Sequence, residues 1–424
     1  MGISAVGEEK RAPASRARLV LILGSLSAFG PLSLDMYLPG LPALAQDLQT
    51  GAAQAQVTLT GCLVGLAVGQ LVVGSISDSR GRRLPLLLGL GGYAATSLLC
   101  AVTPSIYLLI VLRLLQGMAG GAGIVIARAV VRDLYSGVAA ARFYALLMLV
   151  NGLAPILAPV FGSQLLRVSS WRGVFVTLGL IGAVLLAVAA IGLPETLPPE
   201  RRTRSGLLNT LRTFRMLLAD REFLGCALTS GCAIGAMFAY IAGSPFVLEG
   251  IYGVSPQGFS LVFGANALGL VVTAQLSARL VGRIPPVELM TAGVAMGLAG
   301  GLTLLLVVLA GGLGLVAVLP ALFLVVASIG LVMPNATALA LARHARVAGS
   351  GSALLGLAQF IIGGAVAPLV GIGGSRTALP MAIVIATLGT AALVACLTLV
   401  VPAVRSASDR EELRAQPELP RETR

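Results

Sequence analysis

The run LVLILGSLSAFGPLSLDMYLPGLPAL, residues 19–44, is apolar along most of its length and carries one carboxylate, Asp35. About 20 consecutive apolar residues suffice for a helix to cross a bilayer. A charge inside such a helix is costly unless it is protonated, paired or wet, and that cost is usually borne for function. The stretch therefore points to a chain built for lipid, with one position inside it reserved for chemistry.

The rest of the chain repeats the apolar theme. Of its 424 residues, 57% are hydrophobic and 11% charged, against about 25% charged in soluble domains. Mean hydropathy is +0.95. Roughly twelve stretches reach membrane length, near residues 17–42, 55–77, 84–103, 105–131, 142–166, 172–193, 222–248, 257–279, 286–310, 314–341, 349–371 and 378–402. The 53 glycines suit helices packed closely in lipid. The fold class expected is an all-α polytopic membrane protein of twelve transmembrane helices.

The charges alternate from loop to loop. Lys10, Arg11, Arg16 and Arg18 precede the first span, and the loop around Asp47 holds no cation. Arg80, Arg82 and Arg83 follow the second span, then Arg132 and Arg142, then Arg201, Arg202, Arg204, Arg212, Arg215 and Arg221. Arg279, Arg283, Arg343, Arg346 and the Arg-rich tail complete that side, while the other keeps only Arg167, Arg172 and Arg376. By the positive-inside rule both termini are cytoplasmic. The net charge of +12 is then a signal of topology, and no nucleic-acid partner is expected. Met1–Arg18 reads as a cytoplasmic N-terminus rather than a signal peptide, because the apolar run after it is too long.

The Pro- and Arg-rich segment PETLPPERRTRSGLLNTLRTFRMLLADRE, 194–222, separates two halves of about six spans each. The expected boundaries are 1–196 for the first half, 197–221 for a cytoplasmic linker and 222–424 for the second half with its tail. Residues 205–219 read as a short amphipathic helix with Arg212 and Arg215 on its polar side. GSISDSRGRRLP (74–85) recurs faintly as QLSARLVGRIPP (275–286), so that Gly81-Arg82 matches Gly282-Arg283. Two related six-span halves around a midplane site form a transporter plan.

Other chemistries lack residues. The five cysteines lie in apolar runs as small buried thiols, without CxxC spacing. His344, the single histidine, stands between Arg343 and Arg346 and reads as a solvated loop residue. No metal site, nucleotide loop or nucleophile–base pair appears, so neither an enzyme nor a cofactor is expected. The linker and tail are too short for a sensor domain.

GSISDSRGRR resembles the loop signature of the major facilitator superfamily, in which Gly74, Asp78, Gly81, Arg82 and Arg83 match and Ser79 stands where Arg is usual. The resemblance implies a latch that holds the halves together at the inner gate. Asp78 could accept hydrogen bonds there or face a helix N-terminus. LRLLQGMAG (112–120) resembles the fourth-helix signature, with Arg113 inside the membrane, and ARAVVRDLY (127–135) adds Arg128, Arg132 and Asp133. NGLAPILAPVFG (151–162) resembles the fifth-helix antiporter signature, with Asn151, Pro155, Ala158 and Gly162 on one kinked face and Pro159 beside it.

Together with LPETL (193–197) and YIAGSPFVLEGIYGVSPQGFSLVFGANA (240–267), the L-D-M-Y-L-P of residues 34–39 resembles the Bcr/CflA family of drug:proton antiporters. The resemblance implies the superfamily fold and proton-coupled export of chloramphenicol-, florfenicol- or bicyclomycin-like compounds from the cytoplasmic membrane of a bacterium, by a monomer. No cofactor is implied; the proton gradient is the energy source. The alternative is a transporter of a native metabolite in the same fold.

Asp35 and Arg113 lie at similar depths, about 24 Å and 12 Å from opposite ends of their spans. Asp35 is expected to carry the proton and Arg113 to tune it. Tyr37, Asn151, Phe238, Tyr240, Asn266, Asn335 and Gln359 are candidates for the substrate pocket, as polar or aromatic residues in apolar spans.

Overall fold

A computed structural model describes residues 16–135, 137–202, 207–311, 314–344, 347–374 and 376–406. Lys10, Arg11, Arg204, Arg346 and the tail beyond 406, read above as part of the cationic side, lie outside the described residues. Among the described residues, twelve helical segments are long and apolar enough to cross a membrane. They begin at Leu19, Ala52, Arg83, Ile106, Arg142, Trp171, Arg221, Pro256, Pro286, Gly314, Gly349 and Leu379. Each corresponds to one of the twelve apolar stretches in the sequence.

The first span departs from a single helix. It consists of α1 (Arg16–Ser27), α2 (Phe29–Asp35), a 3-10 turn (Leu38–Gly40) and α3 (Leu41–Asp47). Prolines account for the breaks. Pro31, Pro39 and Pro42 have no N–H to give the carbonyls of Ser27, Asp35 and Leu38, four residues earlier. Asp35 thus ends α2, one residue before the main interruption.

The second to sixth spans are α4 (Ala52–Arg80), α5 (Arg83–Val102), α6 (Ile106–Leu134), α7 (Gly137–Leu165) and α8 (Trp171–Gly192). Glycines let α4 and α6 touch backbone to backbone. A Cβ on Gly65 would overlap the Leu114 carbonyl, and one on Gly117 would overlap that of Cys62.

After α8 comes the amphipathic helix α9 (Leu207–Ala219). Arg212 and Arg215 are exposed on it, while Leu217 is buried beside Gly351. The linker helix therefore packs on the second half. That half comprises α10 (Arg221–Pro245), α11 (Pro256–Leu280), α12 (Pro286–Ala310), α13 (Gly314–Ala342), α14 (Ala348–Val370) and α15 (Leu379–Ala395). A π turn, Phe246–Ile251, extends α10, and another, Cys396–Val400, extends α15.

The internal repeat is visible in the backbone. Gly81 and Gly282 end α4 and its counterpart α11 with φ of 95° and 93°, a left-handed conformation that glycine adopts freely.

Four side-chain hydrogen bonds cross between the halves among the described residues. Gln56 Nε2 donates to Ala242 O at 3.0 Å, and Thr60 Oγ1 to Gly364 O at 2.7 Å. Gln257 Nε2 donates to Ser163 O at 3.0 Å, and Ser260 Oγ to Pro159 O at 2.8 Å. All four lie toward the end that bears Asp47 and Arg172, away from the arginine-rich loops. The halves are fastened at the arginine-poor end.

Candidate coupling and gating site

Asp35 is buried, at 5% exposure, at the C-terminal end of α2. Among the described residues no hydrogen bond or ion pair holds its carboxylate. Tyr240 and Cys62 stand within electrostatic range of it. The neighbouring backbone is pressed against α7, because a Cβ on Gly162 would overlap the Met36 carbonyl oxygen. Gly162, the end of the fifth-span motif, thus packs on the residue that follows Asp35. Pro155 and Pro159 sit inside α7.

Arg113 forms no ion pair with Asp35 among the described residues. It is fully buried, and its NH2 group donates to the carbonyl oxygen of Ser33 at 2.7 Å. Its NH1 group donates to Gln116 Oε1. The guanidinium lies 4.5 Å from the ring centre of Tyr37 and 5.5 Å from that of Phe175, in range for cation–π attraction. A polar chain continues from Gln116 Nε2 to Ser97 Oγ at 2.7 Å, and Ser33 Oγ meets Tyr93 OH at 2.7 Å. Arg113 therefore fixes the backbone of the broken span two residues before Asp35. Its Nε remains without a partner.

The pocket candidates divide. Tyr240 and Asn266 come together, with Asn266 Nδ2 donating to Tyr240 OH at 2.9 Å and Phe263 stacked on Tyr240 at 5.6 Å. Tyr37 is packed between Arg113 and Phe175, and its OH meets Thr58 Oγ1 at 3.0 Å. Phe238 fills the notch left by Gly363. Asn335 Nδ2 donates to Ser277 Oγ and Leu331 O, which binds α13 to α11. Asn151 Nδ2 donates to Leu147 O in its own helix. Gln359 is half-buried on α14. Tyr37, Phe238, Asn151 and Asn335 are thus engaged in packing, whereas Tyr240 and Asn266 share the surroundings of Asp35.

The loop after α4 is tightly bonded within the first half. Arg82 is buried, with NH1 2.6 Å from Asp78 Oδ1 and Nε 2.9 Å from Asp133 Oδ2. Asp78 lies against Arg82 and Arg132 rather than at a helix N-terminus. That terminus is capped instead by Glu195 from LPETL. Its two carboxylate oxygens accept from the backbone N–H groups of Arg82 and Arg83, at 2.8 and 3.1 Å. Burial alone would raise the Glu195 pKa, but the N–H groups of Leu197, Arg82, Arg83 and Thr196 outweigh it and hold the carboxyl below its usual range. Gly81 leaves room for that carboxylate. Gly74 rests against Val125 of α6. Arg83 reaches the Ala190 carbonyl at 2.7 Å. Sequence reading gave Glu195 no role; an acid just past a span end, level with an arginine loop, was its only signal.

His344 is not solvated. It is mostly buried, and its Nε2 lies 3.1 Å from Asp220 Oδ2. Asp220 also caps α10 by accepting from Glu222 N and Phe223 N. The interaction ties the loop after α13 to the end of the linker helix.

Comparison with known proteins follows the same lines. The profile of the Major Facilitator Superfamily matches residues 23–368. An "Uncharacterized MFS-type transporter YdgK" of Bacillus subtilis is 41% identical over 373 residues, 87% of this chain and 92% of the relative. A "Bicyclomycin resistance protein homolog" of Haemophilus influenzae is 32% identical over 363 residues, 85% of this chain and 91% of the relative. A solved bacterial homologue of the human lysosomal transporter Spinster, in an inward-facing and occupied conformation, superposes with a TM-score of 0.70. Its identity is 15%, over 95% of this chain and 98% of that one, a likeness of fold. By profile, by relatives and by its twelve spans, the chain belongs to the major facilitator superfamily of multi-pass membrane transporters.

Proposed function

We propose that the protein exports small hydrophobic drugs across the bacterial cytoplasmic membrane in exchange for protons, by alternating access. The observation that carries the reading is Asp35, a buried carboxylate with no bonded partner at the break of the first span. Such a group is free to take a proton in one state and to meet a polar part of the cargo in another. Arg113 acts as a positioning residue, fixing the Ser33 carbonyl. Tyr240, Asn266 and Phe263 form the adjoining polar and aromatic wall. With the arginine-rich end read as cytoplasmic, the four bonds between the halves close the outer end. A relative named for bicyclomycin resistance supports the cargo class.

The test uses inverted membrane vesicles carrying a proton gradient reported by a pH-sensitive dye. Chloramphenicol- and bicyclomycin-type drugs are added to wild type and to Asp35→Asn. Drug-driven proton release in wild type alone is the expected result. Release that persists in Asp35→Asn would sink the coupling role, and silence in both proteins would favour the native-metabolite reading.

A further inference from the structure

Arg128 is a charge inside the membrane-crossing part of α6 that the reading above does not use. It stands six residues before Leu134, about 9 Å from the helix end. It is exposed. Among the described residues no carboxylate pairs with it. At this end of the half Asp78 and Asp133 are taken by Arg82, and Glu195 by the backbone N–H groups of Arg82 and Arg83. The hydrogen bond at Arg128 involves only its backbone, where Tyr144 OH donates to the carbonyl at 3.1 Å.

Its direction follows from helix geometry. The exposed Leu108, Leu115 and Val111 lie about 160°, 140° and 100° around α6 from Arg128, and Tyr107 about 60°. Ile110, Gly117 and Gly121 lie within about 20° of it, and this stripe packs on α4, against Gly61, Cys62 and Leu66. Ile124, one turn before Arg128, touches Gly30 of α2. Arg128 therefore looks into the crevice between α4 and α2, away from lipid. α4 is also the helix whose Thr60 bonds α14 of the second half. A guanidinium without an acid partner is tolerated at that depth where water reaches it.

We propose that Arg128 is an anion-docking point in the opening between the halves. It takes a carboxylate or phosphate-type oxyanion on the cargo and repels cationic compounds. The inference rests on the transport reading and adds to its cargo hydrophobic compounds that carry an oxyanion, beside neutral ones such as chloramphenicol. A guanidinium suits such oxyanions because it offers a planar pair of donors.

The test uses the full-length protein in phosphatidylcholine nanodiscs, with Cys232 replaced by Ser. Arg128→Cys is first treated with an anionic and a cationic methanethiosulfonate of similar size. Reaction with both is expected, and failure of both to react would place the position in lipid and overturn the proposal. Val125→Cys, one turn away, then reports the local potential. Replacing Arg128 by Gln lowers the anionic-to-cationic rate ratio about ten-fold, and Arg128→Lys preserves it; an unchanged ratio overturns the proposal. Docking is read as protection of Val125→Cys. Chloramphenicol hemisuccinate, which carries a carboxylate, slows modification at least threefold more with Arg128 than with Arg128→Gln, while neutral chloramphenicol protects both alike. Absence of that difference refutes anion docking. If phosphatidylglycerol in the disc reproduces the protection, the anion is a lipid headgroup and the cargo assignment falls. None of these readouts uses a proton gradient or Asp35, so a failed coupling experiment leaves them intact.

Discussion

Thr60→Val should open the arginine-poor end. The Thr60 hydroxyl donates to the Gly364 carbonyl at 2.7 Å across the two halves. Within α14 that carbonyl would look four residues on for its donor, to Pro368, which has no N–H. Without the hydroxyl, the carbonyl is left unsatisfied at a packed interface, at about 1–3 kcal/mol. Valine keeps the shape of threonine, so little packing is lost. When the halves part at this end, water reaches the carbonyl and the penalty disappears. The substitution thus raises only the closed state, by about 2 kcal/mol, and moves the open-to-closed ratio about 30-fold. Spin labels on Gln54→Cys and Arg376→Cys, exposed positions on the two halves at that end, would report the change as a long-distance population in pulsed electron resonance. A distance distribution unchanged within threefold, in a protein that has lost the same stability, would refute the argument. The hydroxyl would then be an internal staple and not a gate contact.

Three further outcomes follow from the same structure. Gly162→Ala should place a methyl on the Met36 carbonyl oxygen and reduce drug-driven proton release at least ten-fold while the protein still inserts, as measured in vesicles matched for protein content. Glu195→Gln should lower thermal stability at neutral pH by about 1–2 kcal/mol, discounted for exposure. Its carboxyl is depressed in the folded state, so the stabilisation is complete above the ordinary value of 4.5 and vanishes as the pH falls from there through the folded value; melting curves of the two proteins should converge in acid. Asp220→Ala removes the cap of α10 and the partner of His344 and should cost about 1–2 kcal/mol, measured by thermal melting, whereas His344→Gln should cost less because the cap survives.

The spans were legible because hydrophobic length is a local property, and so was the loop glycine. Gly81-Arg82 and Gly282-Arg283 recur in the sequence, and both glycines take positive φ. The interruption of the first span was also present in the letters, as Pro31, Pro39 and Pro42, but an apolar run of that length reads first as one helix. The partners were hidden for a different reason. Arg113 binds a backbone carbonyl, which no residue type announces. Thr60 and Gly364 are separated by 304 residues, and nothing in either segment names the other. His344 looked solvated between two arginines, yet the fold brings Asp220 to it from across the second half.

The broken first span carries a mechanical consequence. Its interruptions come from missing N–H groups, and no rearrangement of the chain can supply them. The Asp35 carbonyl therefore has no helical donor at position 39 in any state of the chain. Arg113 donates to the Ser33 carbonyl on one side of Asp35 and Gly162 presses on the Met36 carbonyl on the other, so the backbone on both sides is held by helices of the first half. A movement of one half against the other would then carry Asp35 with the first half and change only what the second half presents to it.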